Sequence, residues 1–282
     1  MKIQIDKPLL KSLAMMASVI EARDAYTGGH LWRVSQYSQQ LAEAASLTTE
    51  MVFLSRLGGF LHDIGKISIP DVILGKRGQL TEPEYEVVKT HPGIGAILIQ
   101  AHPLGSLALP AVHQHHEWVN GKGYPMALQG DQISIFARIV SIADAFDALT
   151  STRPYRRGVD AIPALEALNA EHGSQFDAGL LDAFIQRTRL PAIQEIVGTS
   201  ERGVQMVRCP TCGPVITVSS SAKDGDLGYC RVCGNQHRLH RDGDTFVAEP
   251  TGVKGSAEDL KPRHEKGAID AFISMAPKWV DI

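Results

Sequence analysis

A chain of 282 residues, 44% hydrophobic and 21% charged, is long enough to bury a sizeable core and has the balance of a globular protein of one or two domains. Its formal net charge of -3 supplies no bulk attraction to nucleic acid or to an anionic membrane, so an anionic ligand has to be held by local charge. No apolar run approaches the ~20 residues of a membrane-crossing helix, and Met1-Lys2-Ile3-Gln4-Ile5-Asp6-Lys7-Pro8 lacks the parts of a signal peptide, so the expected location is cytoplasmic, away from membranes.

Residues 9–24 carry an apolar, Ala- and Met-rich pattern of helical period, broken by Tyr26-Thr27-Gly28-Gly29. His30 opens the next helix, with Leu31, Val34, Leu41 and Ala45 facing inward, and a Thr48-Thr49 cap leads into a third. There Phe53, Leu57, Phe60, Leu61 and Ile64 recur at helical spacing and mark one buried face. His62 and Asp63 fall in the last turn, and Gly65 is the expected stop. Successive helical residues point about 100° apart, so both side chains can serve one site only if the chain bends there. Read locally, the pair is as well explained by a helix end as by a ligand site.

After a loop with Pro70, Gly75 and Gly78, Thr81 and Glu84 form a capping box at a new helix start. Pro92 places His91 at the start of a helix over 92–100. Residues 106–116 read as helical and deliver His113, His115 and His116. The loop Asn120-Gly121-Lys122-Gly123-Tyr124-Pro125 precedes an amphipathic helix at about 134–151, where Ile135, Ile139, Ile142 and Phe146 face the core and Asp144 and Asp147 share another face. Helices near 161–171 and 178–188 are split by Gly173, with an N-cap at Asp177. Beyond Leu190-Pro191 the pattern turns to short β-prone runs, Val215-Ile216-Thr217-Val218 and Thr245-Phe246-Val247-Ala248, with a turn at Asp242-Gly243. The expected fold class is mainly α: an all-helical domain over 1–190, a small β module over 204–248, and a tail over 249–282 that is a polar linker with one short helix ending in Lys278-Trp279-Val280.

All four cysteines lie in the β module, as Cys209-x2-Cys212, seventeen residues, then Cys230-x2-Cys233. In a cytosolic protein this spacing reads as one structural zinc site of zinc-ribbon type, because four thiolates close the metal's shell. Arg231, Arg238 and Arg241 give only a modest basic edge, and Tyr229 and Phe246 are too few for a base-stacking platform. A protein partner or a regulatory role is the expectation for this module.

Of eleven histidines, His30, His62, His91, His115 and His116 stand at predicted helix ends or starts, with Asp63 and Asp144 as carboxylates. One such histidine is ordinarily structural. Together the set has enough N and O donors for two divalent metals with positions left for water and substrate, and imidazole with carboxylate suits iron, manganese or zinc. His102, His113, His172, His237, His240 and His264 read as ordinary side chains. Glu117 reads either as a partner for Arg138 or as a group orienting a ligand histidine.

Set in order, these residues resemble the HD-GYP proteins, bacterial cyclic di-GMP phosphodiesterases of the HD metal-phosphohydrolase superfamily. Over about residues 15–185 the motifs are Glu21-Ala22-Arg23-Asp24 with Thr27-Gly28-x-His30, His62-Asp63-x-Gly65-Lys66, and His91-Pro92-x-x-Gly95. They continue with His115-His116-Glu117-x-x-Asn120-Gly121-x-Gly123-Tyr124-Pro125, and with Asp144-x-x-Asp147-Ala148-Leu149-Thr150-Ser151-x-Arg153-Pro154-Tyr155-Arg156. The resemblance implies an all-helical HD-type domain whose metal ligands are His30, His62, Asp63, His91, His115, His116 and Asp144. Tyr26 stands where some members carry a third-metal glutamate, so two metal ions are expected, iron or manganese. Asn120 and Arg156 replace a frequent Asp and the usual Lys without removing a ligand.

Within such a site two metals activate a water and polarise the phosphodiester. Asp63 is the natural bridge between them, and Lys66 supplies a charge at the scissile phosphate. Arg153 and Arg156 suit the second phosphate or a guanine edge. Tyr124 offers a stacking ring, and Asp147 reads as a group on the substrate side or behind a ligand. The implied activity is hydrolysis of cyclic di-GMP to pGpG, with GMP as the alternative end product. The rivals are another cyclic dinucleotide such as cyclic GMP-AMP, or a catalytically silent protein that binds cyclic di-GMP and recruits partners. Other expected partners are diguanylate-cyclase (GGDEF) domains at the Tyr124 loop and a second copy of the chain.

Overall fold

The computed structural model describes residues 2–23, 29–76, 78–151, 158–187, 190–201, 204–212, 215–219, 221–243, 245–261 and 268–281. After a short strand β1 (Lys2–Gln4) come helices α1 (Lys7–Arg23), α2 (His30–Ala44), α3 (Thr49–Leu61), α4 (Asp71–Leu74), α5 (Glu82–Val88), α6 (His91–Gln100), α7 (Leu109–Gln114), α8 (Ile135–Thr150), α9 (Ala161–Asn169), α10 (Ala178–Arg187) and α11 (Leu190–Ile196). Capping follows the sequence. Thr48 accepts from Met51 N, Thr81 and Glu84 form the reciprocal box, and Asp177 accepts from Leu180 N. No described helix is long and apolar enough to cross a membrane.

The apolar face of α3 (Phe53, Leu57, Phe60, Leu61) and Ile64 beyond it are buried with α1 and Ile99 of α6 in one core. A second core joins α2, α8, α9, α10 and α11. At its centre the fully buried Phe146 meets Tyr37 and Phe184 edge-on, at ring distances of 5.0 and 5.3 Å. Phe146→Ala should therefore cost about 3–5 kcal/mol. The check is urea unfolding, where the midpoint should fall while the slope stays constant.

Three local expectations change. The helix carrying His62 ends at Leu61, with His62 its cap, and the chain enters a 3-10 turn over Ile64–Ser68. Gly65 lies inside this turn and is not a helix stop; the bend falls at Asp63 (φ -93°, ψ 7°). The glycine serves close packing, since a Cβ there would sit 1.9 Å from His91 O and 2.6 Å from Gly95 N. That approach seats the start of α6, and with it His91, against His62 and Asp63. Helix α7 begins only at Leu109, because the chain first makes a separate 3-10 turn over Gly105–Leu107. Leu190-Pro191 opens α11 instead of ending the helical region, proline being tolerated in a first turn.

The β module contains two antiparallel three-stranded sheets. One is β2 (Thr199–Glu201), β3 (Val204–Arg208) and β4 (Val215–Val218); the other is β5 (Leu227–Tyr229), β6 (Asn235–Asp242) and β7 (Thr245–Lys254). Gly243 takes φ +60° at the β6–β7 turn, as the Asp-Gly pair requires. A small core of Val207, Ile216, Val218, Leu239 and Phe246 includes Cys209 and Cys230. The tail differs from expectation. Helix α12 (Ala268–Ser274) ends early, and Trp279–Asp281 forms strand β8, antiparallel to β1 with Val280 opposite Ile3. Phe272, Ile273 and Val280 enter the first core, and the Arg56 guanidinium lies 4.6 Å over the Phe272 ring. The sequence between α11 and α12 is thus held at both ends by the helical body.

Candidate metal centre

Four histidines turn the same nitrogen inward. His62 Nδ1 donates to Gly59 O (2.8 Å), His91 Nδ1 to Val88 O (2.7 Å), His115 Nδ1 to Val112 O (3.0 Å) and His30 Nδ1 to Asp147 Oδ2 (2.8 Å). These partners only accept, so they fix the tautomer and leave Nε2 as the acceptor of each neutral ring. The Nε2 atoms then converge. His91 Nε2 and His115 Nε2 lie 3.2 Å apart, and His62 Nε2 is buried without a hydrogen-bond partner. Facing acceptors and an orphaned third are unfavourable unless an electropositive group lies between them.

For His91, His115 and His116, protons do not fill that role at neutral pH. Burial holds His91 down to about 4. Burial and the neighbouring His91 hold His116 at about 3, and His115 is depressed by burial and by His116 and His62. Neutral imidazoles with their lone pairs aimed together, and carboxylates beside them, fit a divalent cation. The ligand atoms form the triads His30-His62-Asp144 and His91-His115-His116, with His62, Asp63 and His115 joining them, each set within 4.8 Å.

Asp63 links the two halves. Its Oδ1 lies 3.3 Å from His91 Nε2, while Oδ2 lies 3.3 Å from both His30 Nε2 and His62 Nε2. Asp144 Oδ1 stands 3.5 Å from His30 Nε2 and 3.9 Å from His62 Nε2. Burial opposes ionisation of Asp63, but Lys66, His62 and the hydrogen bond from His30 outweigh it and hold the carboxyl well below the usual range. Lys66 Nζ donates to Asp63 Oδ2 at 2.6 Å, and its side chain is 26% exposed, so it stands at the rim of an otherwise buried cluster.

His30 behaves differently from the other rings. Burial disfavours its charge, but hydrogen bonds to Asp147 and Asp63 win and raise its pKa to about 9. Below that pH the metal-free ring carries a proton on Nε2 that a cation must displace. Affinity at this half should therefore rise with pH up to about 9 and level off above it. Calorimetry in buffers of differing ionisation heat should show about one proton released per cation bound at His30 near neutral pH. Binding without proton release would mean that His30 is already neutral.

Asp147 departs from the substrate-side expectation. It is 1% exposed, and both carboxylate oxygens are occupied: Arg33 Nε donates to Oδ1 (2.6 Å), and Arg33 NH2, Ser151 Oγ and His30 Nδ1 donate to Oδ2 (3.0, 3.1 and 2.8 Å). It therefore stands behind His30 and aims that ring. Arg33 was not singled out in the sequence. The available signal was a charged residue one turn after His30, between the inward-facing Leu31 and Val34, and it is 2% exposed.

The Tyr124 ring stacks on His116 at 4.7 Å and 25°. Its loop folds back on residues 116–118: Tyr124 N donates to His116 O, and a Cβ on Gly123 would sit 2.3 Å from Trp118 N. Among the described residues Glu117 makes no ion pair with Arg138 and its side chain makes no hydrogen bond to a ligand histidine. It accepts from Met126 N (2.6 Å) and Leu128 N (2.9 Å) and so clasps the loop, while Arg138 pairs with Asp131 and Asp177. Arg153 and Arg156 lie outside the described residues, as does His264.

In the β module the cysteine sulfurs are 3.5–3.8 Å apart (Cys212–Cys230, Cys212–Cys209, Cys209–Cys233). That is too far for a disulfide and near the ~3.8 Å edge of a tetrahedron with ~2.3 Å metal–sulfur bonds. His237, read as ordinary in the sequence, is fully buried with Nε2 3.4 Å from Cys209 Sγ.

The chain is 39% identical over 185 residues to the cyclic di-GMP phosphodiesterase response regulator RpfG of Xanthomonas campestris, covering 65% of this chain and 49% of that protein. It is 36% identical over 179 residues to a cyclic di-GMP phosphodiesterase of Pseudomonas aeruginosa, covering 63% and 43%. To the 3'3'-cGAMP-specific phosphodiesterase 1 of Vibrio cholerae it is 34% identical over 182 residues, covering 64% and 42%. The chain thus spans less than half the length of these curated relatives. The HD domain family matches residues 14–180, the segment that carries every histidine and aspartate of the cluster, and the chain belongs to that family.

Proposed function

We propose that this chain is a metal-dependent phosphodiesterase that opens cyclic di-GMP to pGpG, with GMP as the alternative end product. The observation that carries the reading is Asp63, whose two oxygens address opposite histidine triads. His30, His62 and Asp144 would hold one divalent ion, His91, His115 and His116 the other, and Asp63 both. Iron and manganese suit this nitrogen and oxygen set, which has no thiolate. Two such ions would supply charge to polarise a phosphoryl oxygen and to activate water for in-line attack.

The protein's own groups orient and neutralise. Asp147 keeps the His30 Nδ1 proton in place so that Nε2 faces the site. Lys66, at the rim, neutralises charge building on the phosphate. Tyr124, backed by His116, presents its outer face to a guanine base, and Arg153 and Arg156 are assigned to phosphate or guanine by the motif they occupy. The Tyr124 loop is also the surface assigned to a diguanylate-cyclase partner. Cys209, Cys212, Cys230 and Cys233 would hold a structural zinc in a ribbon-like module, with His237 steadying the Cys209 thiolate.

The Vibrio cholerae relative favours cyclic GMP-AMP as a second reading. Incubating the manganese-loaded protein with each cyclic dinucleotide separates the two. Turnover of cyclic di-GMP supports the first, and turnover of cyclic GMP-AMP alone would replace it. Tight binding of cyclic di-GMP without hydrolysis would make the chain a silent receptor.

A further inference from the structure

Arg33 has two sets of partners on opposite sides. Toward the centre, its Nε and NH2 fork onto Asp147 and NH2 also meets Ser151 Oγ at 3.0 Å. Away from it, NH1 donates to Thr199 O at 2.7 Å and lies 3.8 Å from Met206 Sδ. Thr199 begins β2, and Met206 lies in β3, which runs directly into Cys209. Met206 N donates to Gly198 O at 2.8 Å, so the strand that leads into the first cysteine also holds the peptide immediately before Thr199. A chain of hydrogen bonds, buried at its Asp147 and His30 end, therefore runs from the four-cysteine module through Arg33 and Asp147 to His30.

The planar fork makes this link directional. Nε and NH2 lie on Asp147 while NH1 reaches the β module, and moving one end rotates the whole guanidinium. The module's own core is small and includes Cys209 and Cys230, so metal on the thiolates contributes directly to its folding. We propose that Arg33 is a positioning residue through which metal loading of the four-cysteine site sets metal affinity at the His30 half of the dinuclear centre. The inference rests on the two-metal reading above and on metal binding by the four cysteines.

The test is manganese binding to the full-length zinc-loaded chain, because manganese prefers the nitrogen and oxygen cluster to thiolates. Free manganese is followed by its electron paramagnetic resonance signal. Wild type should take up two equivalents. Arg33→Ala should weaken one of them by roughly 10–100-fold and spare the other. Arg33→Lys should recover only part of the loss, since one ammonium cannot serve Asp147, Ser151 and Thr199 together. Stripping the thiolate-bound metal from wild type with a mercurial should weaken the same equivalent, and the same treatment of Arg33→Ala should change nothing further.

Equal weakening of both equivalents, full recovery by Arg33→Lys, or a mercurial effect undiminished in Arg33→Ala would overturn the proposal while leaving the two-metal reading in place. So would wild-type affinity after stripping. Wild-type protein that takes up no manganese at the cluster would overturn the two-metal reading and this inference with it.

Discussion

Asp63→Ala is expected to lose metal from both halves of the centre together and to lower turnover by on the order of 10³-fold or more. The reason is the division of its carboxylate, with Oδ1 toward His91 and Oδ2 toward His30 and His62. The substitution also removes the carboxylate that Lys66 meets at 2.6 Å, and with it a negative charge where cations must bind. Metal analysis of the purified variant, beside its rate on cyclic di-GMP, checks this. Loss of only one equivalent would reduce Asp63 to a ligand of one ion. By contrast, Asp144→Ala removes a carboxylate near His30 and His62 only, and the loss should be confined to that half.

The second large effect is expected at Lys66. Lys66→Ala should keep both metals and lower kcat by roughly 10²–10³-fold, the usual cost of removing one charge-stabilising donor. In the metal-free chain Lys66 is the largest stabilising influence on the Asp63 carboxylate, and its partial exposure leaves it open to an incoming phosphate. Lys66→Arg should restore part of the rate, because charge is kept while the compact ammonium is not. An unchanged rate in Lys66→Ala would remove its catalytic role and leave it as a counter-ion to Asp63. Metal content distinguishes this failure from simple loss of the centre.

The donor set was legible in the sequence because its members carry chemistry in their residue types, and because its histidines stand where helices start or end. The structure brings His30, His62, Asp63, His91, His115, His116 and Asp144 into one cluster. The supporting layer was harder to read. Asp147 and Glu117 are carboxylates whose partners, Arg33 and His30 in one case and the Met126 and Leu128 amides in the other, are set by tertiary contact. A carboxylate behind a ligand and one facing a substrate look alike in a linear motif.

Gly65 shows the same limit in the backbone. Glycine after a helical run signals a left-handed stop, whereas here it answers the 1.9 Å approach of the His91 carbonyl to an added Cβ. The tail was misread because Phe272, Ile273 and Val280 are too sparse among polar neighbours to give a periodic signal, and β8 becomes a strand only by pairing with β1 at the far end of the chain. Similarly, α11 was hidden by Pro191, which marks a first turn as readily as an ending.

The most direct test of the central claim is hydrolysis of cyclic di-GMP as manganese is returned to the metal-stripped histidine and aspartate cluster, with the four-cysteine module left untouched. The account predicts almost no turnover until both equivalents at the histidine and aspartate cluster are filled, and a rate that follows occupancy of the second. Hydrolysis by the stripped protein, or full activity with a single equivalent, would contradict it.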